Sequence, residues 1–378
     1  KYFAGLPNYA PVEVKNLYQD LNRPETQAFI EETYLKAATV VANDNAMLPI
    51  KKLNGNFISI SINAKNPSNF QTMLDNYSTF THYNIDDKST PAYTDSLLNK
   101  IKGLNTVIVG LFRVNNRASI KTNISPKYLS LLENLSKQAK VILVVFGNPY
   151  SLKNFRKQPS VVCMYEDNAY THKLAPQIIF GGSAGGGMLP VNVSEALTLG
   201  FHQHTNEVGR ITYRHPAALG MQMRELENID KIANDAIKAK ATPGMQVLVM
   251  KDGAVVYQKN FGTLTYQDTT KITNSTIYDV ASVTKVAATL QAIMYLYDNK
   301  ALSLNGTVAD YLPSFRNTQF QTTTIRQLLT HTAGLQPFIP FWKNTIDTSG
   351  RPSSFWYSPV QSDTFPNKVA PFLYSASF

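Results

Sequence analysis

Apolar positions in the first half of the chain fall into two alternating patterns. Short runs rich in β-branched residues lie at Phe57–Ile62, Thr106–Leu111, Val141–Phe146 and Val161–Tyr165. Between them, Asn69–Asn76, Tyr93–Ile101, Lys127–Gln138 and Ala169–Phe180 carry helical spacing. Strands apolar throughout and separated by helices predict a parallel sheet covered on both faces. Ahead of the first strand, Glu25–Ala42 reads as a helix with Phe29, Ile30, Tyr34, Ala37, Val40 and Val41 on one side. The expectation is an α/β fold, a three-layer αβα sandwich with a mostly parallel sheet, over residues 21–193.

The pattern then changes. Phe180–Pro190 is rich in glycine, and residues 194–222 show little periodicity, so they read as an extended linker. Glu225–Lys240 reads as an amphipathic helix stopped by Pro243-Gly244. Met245–Met250 and Ala254–Phe261 flank Asp252-Gly253, a strong hairpin signal because both turn residues must accept positive φ. Ser282–Asn299 and Thr324–Thr332 read as helices. A second domain of α+β type is therefore expected over 223–378.

Composition narrows the class. With 378 residues, 43% hydrophobic and 16% charged, the chain can bury real cores, and roughly 100–200 residues per domain predicts two or three domains. No run approaches the ~18 apolar residues of a membrane span. The net charge of +10 comes from Lys and Arg scattered in nothing longer than pairs, with no nucleic-acid motif, so no nucleic-acid partner is expected. Cys163, the one cysteine, sits in the apolar Val161–Tyr165 run and reads as an inert core thiol. The opening Lys1–Leu6 carries no signal peptide and reads as the interior of a longer chain.

The candidate chemistry centres on Ser282-Val283-Thr284-Lys285. Residues three apart on a helix share a side, which brings a hydroxyl and an amine within hydrogen-bond reach. A serine hydroxyl needs a base, and a lysine desolvated in a cleft can serve as one. At a helix start, the serine N–H and the helix dipole can help hold a developing oxyanion. Four residues alone are a weak signal, and Ser282 also suits a helix N-cap. His331 invites a reading as a base or as a turn histidine. His202-x-His204 lacks a third metal ligand, so no metal and no cofactor is expected. Gly181–Gly187 could cradle a phosphate, but it follows a helix and lacks Gly-Lys-Ser/Thr, which favours a flexible turn.

Two resemblances set these readings in context. Ala281–Lys285, Asn299–Leu304, Val308–Pro313 and Ile325–Leu335, with the hairpin Val247–Gly262, resemble class C β-lactamase and D,D-peptidase-like serine hydrolases in order and spacing. The resemblance implies that Ser282 is the acylated nucleophile, Lys285 its activating partner and His331 structural. That family also carries a Tyr-x-Asn (or Tyr-Ser-Asp) motif and a Lys-Thr-Gly or His-x-Gly strand. Tyr374-Ser375-Ala376 matches the first only superficially and nothing matches the second. The expectation is a domain incomplete at its C-terminus.

The first half resembles the C-terminal α/β sandwich of glycoside hydrolase family 3. Ala37–Asn43 with Leu48-Pro49-Ile50, Val144–Tyr150, and Phe180-Gly181-Gly182 through Val191 carry that likeness. It implies that residues 1–20 are the tail of a missing N-terminal barrel domain. The loop where many members place an acid/base carboxylate is Arg113–Arg117 here and holds none. Glycoside hydrolysis needs two positioned carboxyl groups or a substitute, so the pattern is closer to the β-N-acetylglucosaminidase branch. Together the resemblances imply a fragment of a bifunctional, exported or periplasmic bacterial hydrolase acting on cell-wall-type glycan or peptide, itself weakly active or inactive. The rivals are a non-catalytic scaffold with a degenerate serine domain, and a plain serine esterase.

Overall fold

The computed structural model describes residues 3, 11, 13–64, 68–103, 106–114, 124–155 and 157–376. Of the readings above, Lys1–Leu6 (Phe3 apart) and residues 115–117 of the loop after the second predicted strand lie outside them. The chain divides into two compact units, Lys1–Thr276 and Ile277–Phe378.

In the first unit the helices are α1 (Leu17–Leu21), α2 (Pro24–Ala37), α3 (Asn69–Leu74), α4 (Pro91–Ile101), α5 (Pro126–Ser136) and α6 (Ala169–Phe180). The strands are β1 (Thr39–Asn43), β2 (Phe57–Ile62), β3 (Phe80–Ile85), β4 (Thr106–Val114), β5 (Lys140–Gly147) and β6 (Ser160–Cys163). They form one sheet in the order β1-β6-β5-β4-β2-β3. All neighbours pair in parallel except β1, which runs antiparallel to β6. One face packs Leu97 and Ile101 of α4 and Leu131, Leu132 and Leu135 of α5. The other packs Phe70 and Leu74 of α3 and Leu174, Ile178 and Phe180 of α6. This is the expected three-layer sandwich.

Two expectations are corrected. The helix read as Glu25–Ala42 ends at Ala37, and Val40 and Val41 belong to β1. β-Branched Thr39-Val40-Val41 fits a pleated, buried strand better than a helix. The helix face also differs: Phe29 is 68% exposed, while Glu31 is 3% exposed. Glu31 is held inside by Lys173 Nζ at 3.2 Å and by the backbone N–H of His215 at 3.0 Å. β3 is not among the predicted strands, because its mixed Phe-Thr-His-Tyr-Asn-Ile pattern hides an edge strand.

The glycine-rich segment is a close-packed turn. A Cβ on Gly187 would stand 2.1 Å from the carbonyl oxygen of Ala37, which is backbone and cannot yield, and one on Gly185 would meet Val40 and Ile178. Gly187→Ala is therefore expected to cost about 3 kcal/mol, the upper range for overpacking. A urea-denaturation midpoint within error of the parent would refute that packing role.

Residues 194–222, read as an extended linker, are bonded along the sandwich instead. The N–H groups of Gln203, Thr205 and Val208 donate to the carbonyls of Val40, Gly185 and Gly181. Strand β7 (Thr212–Tyr213) is gripped by the buried side chain of Gln177, which donates to Tyr213 O at 3.1 Å and accepts from Tyr213 N at 2.9 Å.

Helix α7 (Met223–Lys238) and strands β8 (Gly244–Lys251) and β9 (Ala254–Gly262) follow, with the sheet order β7-β9-β8. The turn is as predicted: Asp252 and Gly253 both have positive φ, 50° and 77°. Leu226 of α7 packs on Val256 and Tyr257, and Asp230 accepts hydrogen bonds from Tyr257 Oη and Lys259 Nζ.

The second unit opens with a π-helical turn, Lys285–Thr289, that runs into α8 (Leu290–Asp298). Helices α9 (Val308–Tyr311) and α10 (Ile325–Leu329) each start on a capping box, Thr307 with Asp310 and Thr324 with Gln327. A small sheet of β10 (Tyr357–Ser358), β11 (Asn367–Ala370) and β12 (Leu373–Ser375) has the order β10-β12-β11. Among the described residues no helix is long and apolar enough to cross a membrane.

Candidate active site

Ser282 sits in the turn just ahead of the π-helical segment rather than inside a helix. Ala281 has φ of 43°, and its N–H donates to Asp279 Oδ1 at 2.7 Å, which kinks the chain there. The next three N–H groups, of Val283, Thr284 and Lys285, bond back to the carbonyls three residues earlier. This tight winding brings Lys285 Nζ to 2.9 Å from Ser282 Oγ, where the ammonium donates to the hydroxyl. The π-turn that opens at Lys285 is a feature that recurs at functional sites. The expected cleft is not formed within this unit: Ser282 and Lys285 are both exposed, and no residue of α8 is buried.

His331 lies just past α10 with φ of 57°, its N–H bonded to Leu328 O, and it is exposed. It terminates a helix, consistent with a turn role. Tyr374 lies on β12 opposite Ser358 and Lys368, and among the described residues no hydrogen bond joins it to Ser282 or Lys285. The described residues include no group of three His, Cys, Asp or Glu able to hold a metal. Cys163 is fully buried, and burial pushes its thiol up to about 12, so it is no nucleophile at neutral pH.

The sandwich carries two polar arrangements that the sequence reading missed. In the first, Gln71 Nε2 donates to Ser59 Oγ at 3.1 Å, Ser59 lies 2.6 Å from His82 Nδ1, and His82 Nε2 lies 2.9 Å from Asp75. The connectivity is that of a Ser-His-Asp triad. Ser59 is, however, wholly buried in mid-strand beneath α3, where no carbonyl substrate can reach it. The network pins α3 to the sheet and satisfies polar groups that would otherwise be costly to bury. Its signal was the alternation in Phe-Ile-Ser-Ile-Ser-Ile, with two serines on one face of a buried strand.

In the second, Asp167 accepts from His172 Nε2 at 2.8 Å and from the backbone N–H of Arg113 at 3.0 Å, beside a cavity of about 340 Å³. Burial raises the Asp167 carboxyl, but these two donors outweigh it and hold the group below its ordinary value. A depressed folded-state value means that Asp167 stabilises the fold above the unfolded carboxylate value, near pH 4. That contribution disappears as pH falls through the lower folded value. The expected result is an acid limb in a urea-midpoint profile that becomes shallower in Asp167→Asn. An unchanged acid limb would remove Asp167 from that role.

Comparison with known proteins bears on the serine pair. Residues 229–348 match the family described as Beta-lactamase. The C-terminal part of this chain is β-lactamase-like. Protein flp of Staphylococcus aureus (strain N315) is 37% identical over 115 residues, which cover 29% of this chain and 22% of that protein. A beta-lactamase of Providencia stuartii is 28% identical over 116 residues, 30% of this chain and 29% of that one. The chain thus spans less than a third of these relatives' length.

Among solved structures, a glycoside hydrolase family 3 β-N-acetylglucosaminidase from Paenibacillus sp. str. FPU-7 is 13% identical. It covers 50% of this chain and 36% of its own, with a TM-score of 0.38. A beta-glucosidase from Listeria innocua is 11% identical, covering 46% and 27%, with a TM-score of 0.40. At such scores a likeness decides neither fold nor activity. The β-lactamase-like match starts inside α7, upstream of the break at Thr276.

Proposed function

We propose that the β-lactamase-like part is a serine hydrolase module in which Ser282 attacks a carbonyl or phosphonyl centre and Lys285 takes its proton. The observation that carries this is the 2.9 Å contact from Lys285 Nζ to Ser282 Oγ inside the segment that matches the Beta-lactamase family. In the step, Lys285 first gives a proton to solvent, Ser282 Oγ forms the bond to the substrate carbon as its own proton passes to Lys285 Nζ, and the leaving group departs with that proton to give an acyl-enzyme that water later hydrolyses. The Ser282 N–H has no partner among the described residues, which leaves it available to the oxyanion.

The wider reading is of an exported bifunctional hydrolase on cell-wall-type material. It would join this module to a family 3 glycosidase of the β-N-acetylglucosaminidase type, with the glycosidic carboxylates supplied outside the sandwich. The motif likeness of Ala37–Ile50, Val144–Tyr150 and Phe180–Val191 supports it. The chain by itself is expected to be weakly reactive, because the exposed pair lacks the dry surroundings that strengthen such interactions. A fluorescent penicillin and a fluorophosphonate test the serine module. Slow, incomplete labelling that is lost in Ser282→Ala is expected. Rapid stoichiometric labelling would overturn the low reactivity, and labelling retained in Ser282→Ala would overturn the nucleophile.

The same exposure favours one alternative, a non-catalytic module with a degenerate serine domain. Complete absence of Ser282-dependent labelling would support it against the hydrolase.

A further inference from the structure

Strand order makes one place in the sandwich special. From β2 the chain goes out to β3 on one side and then returns to β4 on the other, so connections diverge at the carboxyl ends of β2 and β4. Crevices at such switch points are where open α/β sheets bind ligands. The 340 Å³ cavity lies there: Asn63 follows β2, while Phe112 and Arg113 end β4. It falls at the small end of the ~300–1,000 Å³ range of ligand pockets.

The lining is unusual in its backbone as well as its chemistry. Asn63 and Arg113 are both non-glycine residues in the left-handed region, with φ of 61° and 55°. Such conformations cost of order 1 kcal/mol or more each and cluster at ligand sites. Both are held from behind: Asn63 N donates to Ile85 O and Asn63 Oδ1 accepts from Tyr128 Oη, while Arg113 N donates to Asp167. These bonds leave the Asn63 amide donors uncommitted. The Arg113 guanidinium forms no ion pair or hydrogen bond among the described residues, Asp167 included. Asp167 is oriented by His172, which packs edge-on against Phe112 with ring centroids 5.1 Å apart.

The cavity therefore presents one uncommitted cation and one fixed carboxylate. A ligand carrying both charges can meet the exposed Arg113 guanidinium and the carboxylate that His172 orients with a single molecule. We propose that this switch-point cavity binds a small zwitterion of the α-amino-acid type, its carboxylate on Arg113 and its ammonium on Asp167. The Asn63 amide supplies a further polar contact, and Phe112 supplies an apolar wall. The proposal is independent of the serine pair.

Isothermal titration calorimetry of the full chain with L-alanine, acetate, methylammonium and glucose tests it. Saturable, millimolar binding of L-alanine is expected, weakened about tenfold or more in both Arg113→Met and Asp167→Asn, with much weaker response to acetate or methylammonium. Arg113 is exposed, so Arg113→Met keeps the test valid if Asp167→Asn proves unstable. The proposal is overturned by no L-alanine binding at about 50 mM to the folded chain. It is equally overturned by binding unchanged in Arg113→Met, by acetate binding as tightly as L-alanine, or by glucose alone occupying the cavity.

Discussion

Lys285→Met is expected to slow fluorophosphonate labelling of Ser282 about a hundredfold, the lower range for removing a positioned general base. Among the described residues, Lys285 Nζ is the side-chain group bonded to Ser282 Oγ, which makes it the candidate for that role. Methionine keeps most of the length and apolar stem of lysine but cannot accept the proton. Both residues are exposed, so neither Lys285→Met nor Ser282→Ala should move stability by more than about 0.5 kcal/mol. A lost rate therefore reports chemistry and not unfolding. Equal labelling rates for Lys285→Met and the parent, measured over long incubations, would exclude Lys285 as the base while leaving Ser282 a nucleophile.

A stability effect as large as that of Gly187→Ala is expected at Glu31. It is buried in α2, and its two oxygens hold Lys173 of α6 and the backbone of His215. Removing one partner of a buried charged network strands the others. The Lys173 side chain keeps 34% exposure, which lets water recover part of its solvation. Glu31→Ala is therefore expected to cost about 3 kcal/mol in urea denaturation. Faster amide exchange at His215 should accompany it, because its N–H loses its acceptor while Gln177 and β9 still hold β7. Glu31→Gln keeps an acceptor for the His215 N–H and is expected to lose less. A midpoint for Glu31→Ala within about 0.5 kcal/mol of the parent would show that the network is dispensable. His215 reports on the same contact: burial lowers its imidazole, Glu31 opposes that and Lys173 adds to it.

How much was legible beforehand depended on the range of the interactions. The four central strands and the helices between them were readable, because each is a run whose period matches its own burial. The Asp252-Gly253 turn was readable because it is decided by the φ values of two residues. The edge strands were not. β1 continues an apolar helical pattern without a break in hydrophobicity, and β3 mixes polar and apolar residues because an edge strand is only partly covered. The linker was misread for a related reason. Segments that dock by backbone hydrogen bonds to Val40, Gly181 and Gln177 need no periodicity of their own.

The same division holds for the serine pair and for the cavity. A spacing of three residues is local, so Ser282 and Lys285 were already paired by the sequence, and the match to Ile325–Leu335 placed them in a family context. Whether the pair is dry or wet depends on what covers α8, and that is a tertiary property; within its unit the structure leaves it exposed. Arg113 lies 54 residues from Asp167 along the chain and shares no motif with Asp167 or His172, so only the parallel register of β2, β4 and β5, with the β6–α6 turn beside them, gathers them at one crevice. Short-range chemistry and periodic burial were written in the residue order. Edge pairing, solvent exposure and the meeting of distant charges were decided by packing, because each depends on neighbours that the linear sequence does not place.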